Sequence, residues 1–306
     1  MIGTVRAFFQ QRGVLEVETP VLSRTAATDP AIDPFQSRWE GPGGPCDLWL
    51  QTSPEFAMKR LLAAGSGPIW QLCKVFRQGE VGRRHNPEFT LLEWYRPGYD
   101  HHALMGEVEA LLRAIPTLSL PTVPFPRITW RAAFVRWTGV DPLLEPVSRL
   151  RECARDHAIE VSGLELEDRD GWCDLLLSHL IEPALAGEGA LFIHDYPASQ
   201  AALARLLPGE PPVAARFELY LDGIELANGY HELSDAKEQR ARFEAENRER
   251  VRQGRAELPI DQRLLEALEH GLPDCAGVAL GLDRLLLCAT GATALDQVIA
   301  FPFSRC

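Results

Sequence analysis

The sequence contains no run of 18 or more uninterrupted apolar residues, which excludes a simple membrane-spanning helix. Its opening stretch, "MIGTVRAFFQQRG", lacks the charged-then-apolar-then-small layout of a secretory leader, so a cytoplasmic location is expected. Seven cysteines are scattered along the chain (Cys46, Cys73, Cys153, Cys173, Cys275, Cys288 and Cys306) without any C-x-x-C pair. That argues against zinc and against a disulfide framework, and it fits a reducing compartment. Neither G-x-x-x-x-G-K nor a G-x-G-x-x-G after a strand occurs, which removes the two commonest glycine-loop routes to a nucleotide. Basic charge is also short: 31 Lys and Arg stand against 43 Asp and Glu, a formal net charge of -12. A surface built chiefly to grip nucleic acid is not expected from that balance, although a local basic patch survives at "VGRRHNPEF". No internal repeat or low-complexity tract is present.

What is present is an ordinary globular composition, 46% hydrophobic and 24% charged over 306 residues. That length buries one large core, or a core plus a small insert. "VRAFFQQRGVLEVETPVL" predicts an amphipathic helix stopped at Gly13, then a strand ended by Pro20. "TAATDPAIDPF" and "EGPGGPC" read as loops. "SPEFAMKRLLAAG" reads as a helix capped by Ser53, with Pro54 and Glu55 in its first turn. Two strands, "IWQLCKVFR" and "EFTLLEWYR", follow around the basic loop, and residues 101–115 suit a helix. Proline-punctuated "TLSLPTVPFPRITW" leads into a smaller segment of about residues 127–210. "RFELYLDGIELANGY" predicts a hairpin about Asp222-Gly223, and Asp235 is placed to cap the charged helix after it.

Chemistry collects in three places. In "FTLLEWY" the two-residue period puts Phe89, Leu91, Glu93 and Tyr95 on one face, a set able to hold a flat base and an ammonium group. Cys73, Val75 and Arg77 share a face of the preceding strand, so Arg77 can project toward an anion. The same pattern suits an antiparallel pair with a solvated turn. In the hairpin, strict pairing sets Tyr220 opposite Glu225 and Glu218 opposite Ala227. Glu218 and Glu225 then become diagonal neighbours about 7–8 Å apart, a natural magnesium site or else two acidic residues on a solvent-facing strand. Asn228 and Glu232 lie just beyond. In "GVALGLDR" the glycines Gly277 and Gly281 permit close approach by a ligand, Arg284 can reach a phosphate, and Asp283 can orient it. A structural ion pair accounts for that last pattern equally well.

Taken together, "VETPVL", "FRQGEVGRRHNPEFTLLEWYRPGY", "GIELANGYHEL" and "GVALGLDR" resemble the motifs of class II aminoacyl-tRNA synthetases, in the lysyl branch. The resemblance covers nearly the whole chain. Within that branch it is nearest to the stand-alone elongation factor P–(R)-β-lysine ligases, because the chain starts almost at the first motif, with no anticodon-binding domain ahead of it. A truncated synthetase charging tRNA, and a non-catalytic regulatory paralogue, would share most of the same residues. The resemblance implies an α+β fold, an antiparallel sheet flanked by helices over residues 1–306, in a homodimer. It implies ATP and Mg2+, with lysine or (R)-β-lysine as substrate, elongation factor P as acceptor, and neither tRNA nor membrane as partner. Arg77 and Arg284 would be catalytic. Arg77, Gln78 and Gly79, His85 and Asn86, Phe89, Glu225 and Leu226, and Gly281 with Arg284 would bind ATP. Glu218 and Glu225 would hold magnesium. Ser53, Pro54, Glu55, Glu93, Tyr95, Asn228, Glu232 and Ala279 would line the amino-acid pocket. Two positions depart from the pattern. Gly79 stands where the family has glutamate, with Glu80 one place later. Ala279 stands where lysyl-tRNA synthetases have glycine, so a methyl group would narrow the floor near the substrate's α-carbon.

Overall fold

Helix α1 (Ile2–Gln11) buries Val5, Phe8 and Phe9 on one side, the apolar stripe evident in the sequence. Phe9 stacks on Trp70 with ring centroids 5.0 Å apart and meets Trp94 edge-on at 5.4 Å. This computed structural model describes residues 1–161 and 168–306. The chain divides into two compact units, Met1–Leu118 with Glu232–Cys306, and Ser119–His231.

The first unit begins with α1 and a short β1 (Leu15–Glu16). A small antiparallel sheet follows: β2 (Leu22–Ser23) and β3 (Gln36–Trp39) flank β4 (Cys46–Leu50). These strands frame the two expected loops; β3 is exposed throughout and β4 mostly half-buried, so neither carries an alternation that would have announced it. Helix α2 (Glu55–Ala63) starts after Ser53, whose Oγ accepts from the Glu55 N–H at 3.0 Å. Strands β5 (Ile69–Phe76) and β6 (Glu88–Pro97) pair antiparallel, β1 lies parallel to β5, and α3 (His101–Arg113) is capped by Asp100 accepting from the Ala103 N–H.

The second unit contains β7 (Arg127–Thr129), α4 (Trp130–Thr138), α5 (Val147–Asp156) and α6 (Arg169–Leu176). A π-helical turn, Leu177–Ile181, joins α6 to the short α7 (Glu182–Ala184). Then come β8 (Ala190–Pro197), β9 (Leu206–Leu207), β10 (Val213–Leu221) and β11 (Ile224–His231). Strand β10 pairs antiparallel with β11, β8 and β9, while β7 runs parallel to β8. Trp130, Phe134, Leu150, Trp172 and Leu176 from the helices pack with Ile193, Tyr196 and Tyr220 from the strands.

The hairpin turns at Asp222-Gly223 as expected, and Tyr220 faces Glu225. Further along, the expected pairing of Glu218 with Ala227 fails. A bulge leaves Leu226 unpaired, so Leu219 meets Ala227 and Glu218 meets Asn228. One inserted residue shifts the period-two rule by a step. It therefore puts Glu225 and Asn228 on the same face, which uniform alternation forbids.

The chain re-enters the first unit with α8 (Ala236–Arg252), capped by Asp235 accepting from the Lys237 and Glu238 N–H groups. Helix α9 (Gln262–Gly271) and β12 (Cys275–Gly281) follow, and β12 pairs antiparallel with β6 before α10 (Leu282–Thr290). Antiparallel pairs thus dominate the sheets, with helices flanking them. No described helix is long and apolar enough to cross a membrane.

Candidate active site

The register of β5, β6 and β12 lays out one face of the first unit as cross-strand rows. Ile69, Tyr95 and Gly277 form one row; Gln71, Glu93 and Ala279 the next; Cys73, Leu91 and Gly281 the third; Val75 and Phe89 the fourth. Paired residues point to the same side of an antiparallel ladder. The opposite side carries Trp70 and Trp94, against which α1 packs. The face expected from the spacing of Phe89, Leu91, Glu93 and Tyr95 is therefore present and left open by α1.

At the Tyr95 end two carboxylates converge on one ammonium, with a third carboxylate, Glu93, beside them. Lys59 is almost wholly buried, with Nζ 2.6 Å from Glu55 Oε1 and 2.5 Å from Glu232 Oε2. It is one of three lysines in a chain that otherwise uses arginine for its positive charge, and its ammonium is a compact point charge on a flexible stem. Burial alone would lower its pKa; Glu232 and then Glu55 outweigh that and hold the ammonium charged. Glu93 accepts from Tyr95 Oη at 2.7 Å and from Ser53 Oγ at 2.8 Å. Burial, then the Glu55 charge, pushes its carboxyl up to about 8 despite those two donors. Glu55, Glu93, Tyr95 and Ser53 come together as expected, and Glu232 with them. Lys59 escaped notice, though its i, i+4 spacing from Glu55 was visible.

Gly277 serves a purpose other than the expected one. A Cβ there would lie 2.2 Å from Tyr95 Cε1 and 2.5 Å from Glu232 Oε1. The close approach that the structure shows there is made by the pocket's own side chains. A Cβ at Gly281 would meet Arg284 Cδ only at 3.8 Å. Ala279, half-buried, faces Glu93 across the ladder.

At the Phe89 end the basic groups gather. The Arg77 guanidinium lies 5.1 Å from the Phe89 ring centroid and donates to the Thr52 carbonyl at 3.4 Å. Glu80 Oε1 is 3.5 Å from Arg77 Nη1, so the glutamate one place late stays within reach of the arginine. Gly79 adopts φ +84°, a left-handed conformation that glycine takes without strain and glutamate does not. The Gln78 N–H is bound to the Asp33 carbonyl at 2.7 Å, and Asp33 is itself gripped by Arg250. Arg284, in the first turn of α10, donates to the Arg84 carbonyl at 3.2 Å and lies 2.8 Å from His85 Nε2. Partial enclosure, then the Arg284 charge, lowers the His85 pKa, which leaves its ring neutral to accept that bond. Asp283 does not take the expected place beside Arg284: its Oδ2 accepts from the Thr90 N–H at 2.7 Å and ties α10 to β6. Asn86 Nδ2 donates to the Glu88 carbonyl, and Asn86 Oδ1 accepts from the Phe303 N–H.

The second unit holds the expected acidic pair. Glu218 Oε2 accepts from Tyr196 Oη at 2.6 Å and Tyr220 Oη at 2.7 Å, and Arg216 Nη2 lies 2.5 Å from Oε1. Arg216 Nε also reaches Asn228 Oδ1 at 3.3 Å. Glu225 is half-buried on the same face, opposite Tyr220, and Leu226 beside it is buried. A carboxylate offers about four lone pairs and three are taken at Glu218, so one remains for a cation. The donor set, all oxygen, suits a hard divalent ion such as magnesium.

The model of class II tRNA synthetases (D, K and N) matches residues 1–305, so the chain belongs to the class II tRNA synthetase family.

Proposed function

We propose that this protein is an ATP-dependent ligase for a diamino acid, (R)-β-lysine or lysine, and that it transfers the activated acid to the ε-amine of a lysine on elongation factor P. One observation carries the substrate class. Glu55, Glu93 and Glu232, when ionised, set three negative charges against the single positive charge of Lys59. Buried charge without a partner is costly, and the two ammonium groups of a lysine isomer supply the missing pair. An amino acid with a neutral side chain brings only one ammonium and leaves one carboxylate uncompensated.

The chemistry has two steps. A carboxylate oxygen of the amino acid attacks the α-phosphorus of ATP, forming an acyl-phosphate bond and releasing pyrophosphate. The acceptor amine then attacks that carbonyl, forming an amide, releasing AMP and losing a proton to solvent. Neither step requires a protein nucleophile, so the chain's task is positioning and charge stabilisation. Arg77 and Arg284 grip phosphate oxygens, Phe89 stacks on the adenine, and Glu93, Glu232 and Tyr95 fix the ammonium groups. Glu218 and Glu225 would hold magnesium, which when bound neutralises phosphate charge.

The deciding experiment is amino-acid-dependent ATP–pyrophosphate exchange with α- and β-lysine side by side, followed by offering the labelled adenylate to elongation factor P and to tRNA. Exchange with a lysine isomer and labelling of the protein acceptor are expected. Exchange with neither isomer, or exclusive labelling of tRNA, overturns the reading.

A further inference from the structure

We infer that Gln71 is a specificity-determining residue, accepting a hydrogen bond at Oε1 from the amino group nearest the substrate's carboxylate and thereby selecting between lysine isomers. The inference rests on the diamino-acid reading above and deepens it.

Gln71 lies on β5, directly opposite Glu93 in the row that ends at Ala279. It is 3% exposed, and its Oε1 has no hydrogen-bond partner. Its amide also lies beside the Cys73 thiol, one row along the same face. Buried side-chain acceptors are ordinarily satisfied, so one left open on a ligand-facing wall marks a missing donor.

The position within the rows identifies that donor. The row of Tyr95 and Gly277, with Glu232 and Lys59 beside it, reads the distal ammonium. Arg77 and Phe89 lie at the other end, where the phosphates and adenine would sit. Rows on one face repeat every two residues, about 6.8 Å apart, comparable with the reach of a four-carbon stem. A lysine with its ε-ammonium at Tyr95 and its carboxylate toward Arg77 therefore places the carboxylate-proximal amine over the Gln71–Glu93–Ala279 row. Glu93 supplies that amine with charge and Ala279 supplies a steric limit. Gln71 supplies a fixed neutral acceptor on the opposite side of Glu93. Moving the amine from the α- to the β-carbon shifts it along this row relative to the Gln71 oxygen, so discrimination follows from geometry.

The test compares the wild-type protein with Gln71→Met, which removes the acceptor at similar volume, and Gln71→Glu, which keeps an oxygen there. Calorimetric affinities are measured for (R)-β-lysine, L-lysine and 6-aminohexanoate, which lacks the proximal amine, with pyrophosphate exchange run in parallel. Gln71→Met is expected to weaken the preferred lysine isomer tenfold or more, roughly the worth of a hydrogen bond to a charged group. Its affinity for 6-aminohexanoate and its KM for ATP are expected to stay at wild-type values, and Gln71→Glu to retain lysine binding. Equal losses for 6-aminohexanoate and the lysines would reduce Gln71 to a packing residue, and unchanged lysine affinity would remove it from recognition altogether. If Gln71→Met fails to fold, loss of lysine binding in a folded Gln71→Glu protein also overturns the inference. Because affinity is read independently of exchange, a wild type that binds lysine without exchange defeats the ligase reading alone.

Discussion

Replacing Lys59 by Met tests the electrostatics of the pocket without assuming any activity. The ammonium sits 2.5 Å and 2.6 Å from two carboxylates and is almost wholly buried. At an effective dielectric constant near 20, each contact carries roughly 6 kcal/mol of Coulomb attraction. Desolvating the ammonium offsets much of that, and breaking a buried pair by removing one partner costs about 3–5 kcal/mol. Against a typical domain stability of about 5–15 kcal/mol, Lys59→Met is expected to remain folded but to melt far below the wild type. The deficit depends on pH in a defined direction. In the variant, three carboxylates face one another without a cation, and protonation relieves the repulsion. The gap between wild type and variant is therefore expected to be widest above pH 8 and to shrink as the pH falls. Urea unfolding at pH 5 and pH 8.5, followed by circular dichroism, reads both quantities. A variant within about 1 kcal/mol of wild type at pH 8.5 would show that Lys59 does not neutralise these carboxylates.

Gly277→Ala is expected to displace Tyr95 and Glu232, because the new methyl would lie 2.2 Å and 2.5 Å from them; the amino-acid KM should rise at least tenfold while the ATP KM holds, and equal changes in both would mean general unfolding. Glu93, with its carboxyl raised to about 8, must shed a proton to meet an ammonium, so amino-acid affinity is expected to climb by up to tenfold per pH unit between pH 6 and 8, then level off; a flat calorimetric profile contradicts this. Arg77→Ala is expected to abolish pyrophosphate exchange, and near-normal exchange would dismiss its assigned role. Ala279→Gly is expected to raise activity with α-lysine relative to β-lysine, and an unchanged ratio would acquit the methyl group.

Much of this site was legible because period-two alternation is a strong local rule. Phe89, Leu91, Glu93 and Tyr95 share a face in the structure as in the sequence, and Asp222-Gly223 makes the turn its composition demands. The failures have a common cause in non-local structure. The bulge at Leu226 lies in the pairing of β11 with β10, and nothing in "DGIELANGY" announces it. Asp283 looked like a partner for its neighbour Arg284, yet it bonds the Thr90 N–H, 193 residues away in sequence. Gly277 looked like a clearance for ligand because glycine beside a motif usually suggests one; the object it clears is Tyr95, known only once the strands are in register. Lys59 and Gln71 lacked any motif, and only burial separates them from ordinary surface residues of the same types.

The presence of Lys59 raises a question of design: a pocket proposed for a diamine already contains an amine. Full neutralisation by the protein would leave nothing for substrate to contribute, whereas three unpaired carboxylates would be too costly to assemble. One internal ammonium against three carboxylates lies between these limits. It pins Glu55 and Glu232 in fixed positions, while Glu93 relieves the remaining repulsion by keeping its proton until a ligand arrives. Rejection of monoamines then needs no steric device. Norleucine, which keeps lysine's four side-chain carbons and lacks the ammonium, must bury its terminal methyl near Glu232 and leave the charge there without its second cation. Sites that hydrogen-bond a substrate group reject analogues lacking it by factors of about 10⁴–10⁵. Discrimination of that order against norleucine, with Lys59 intact, is what a charge surplus predicts; discrimination of only tenfold would mean that shape, not charge, governs entry.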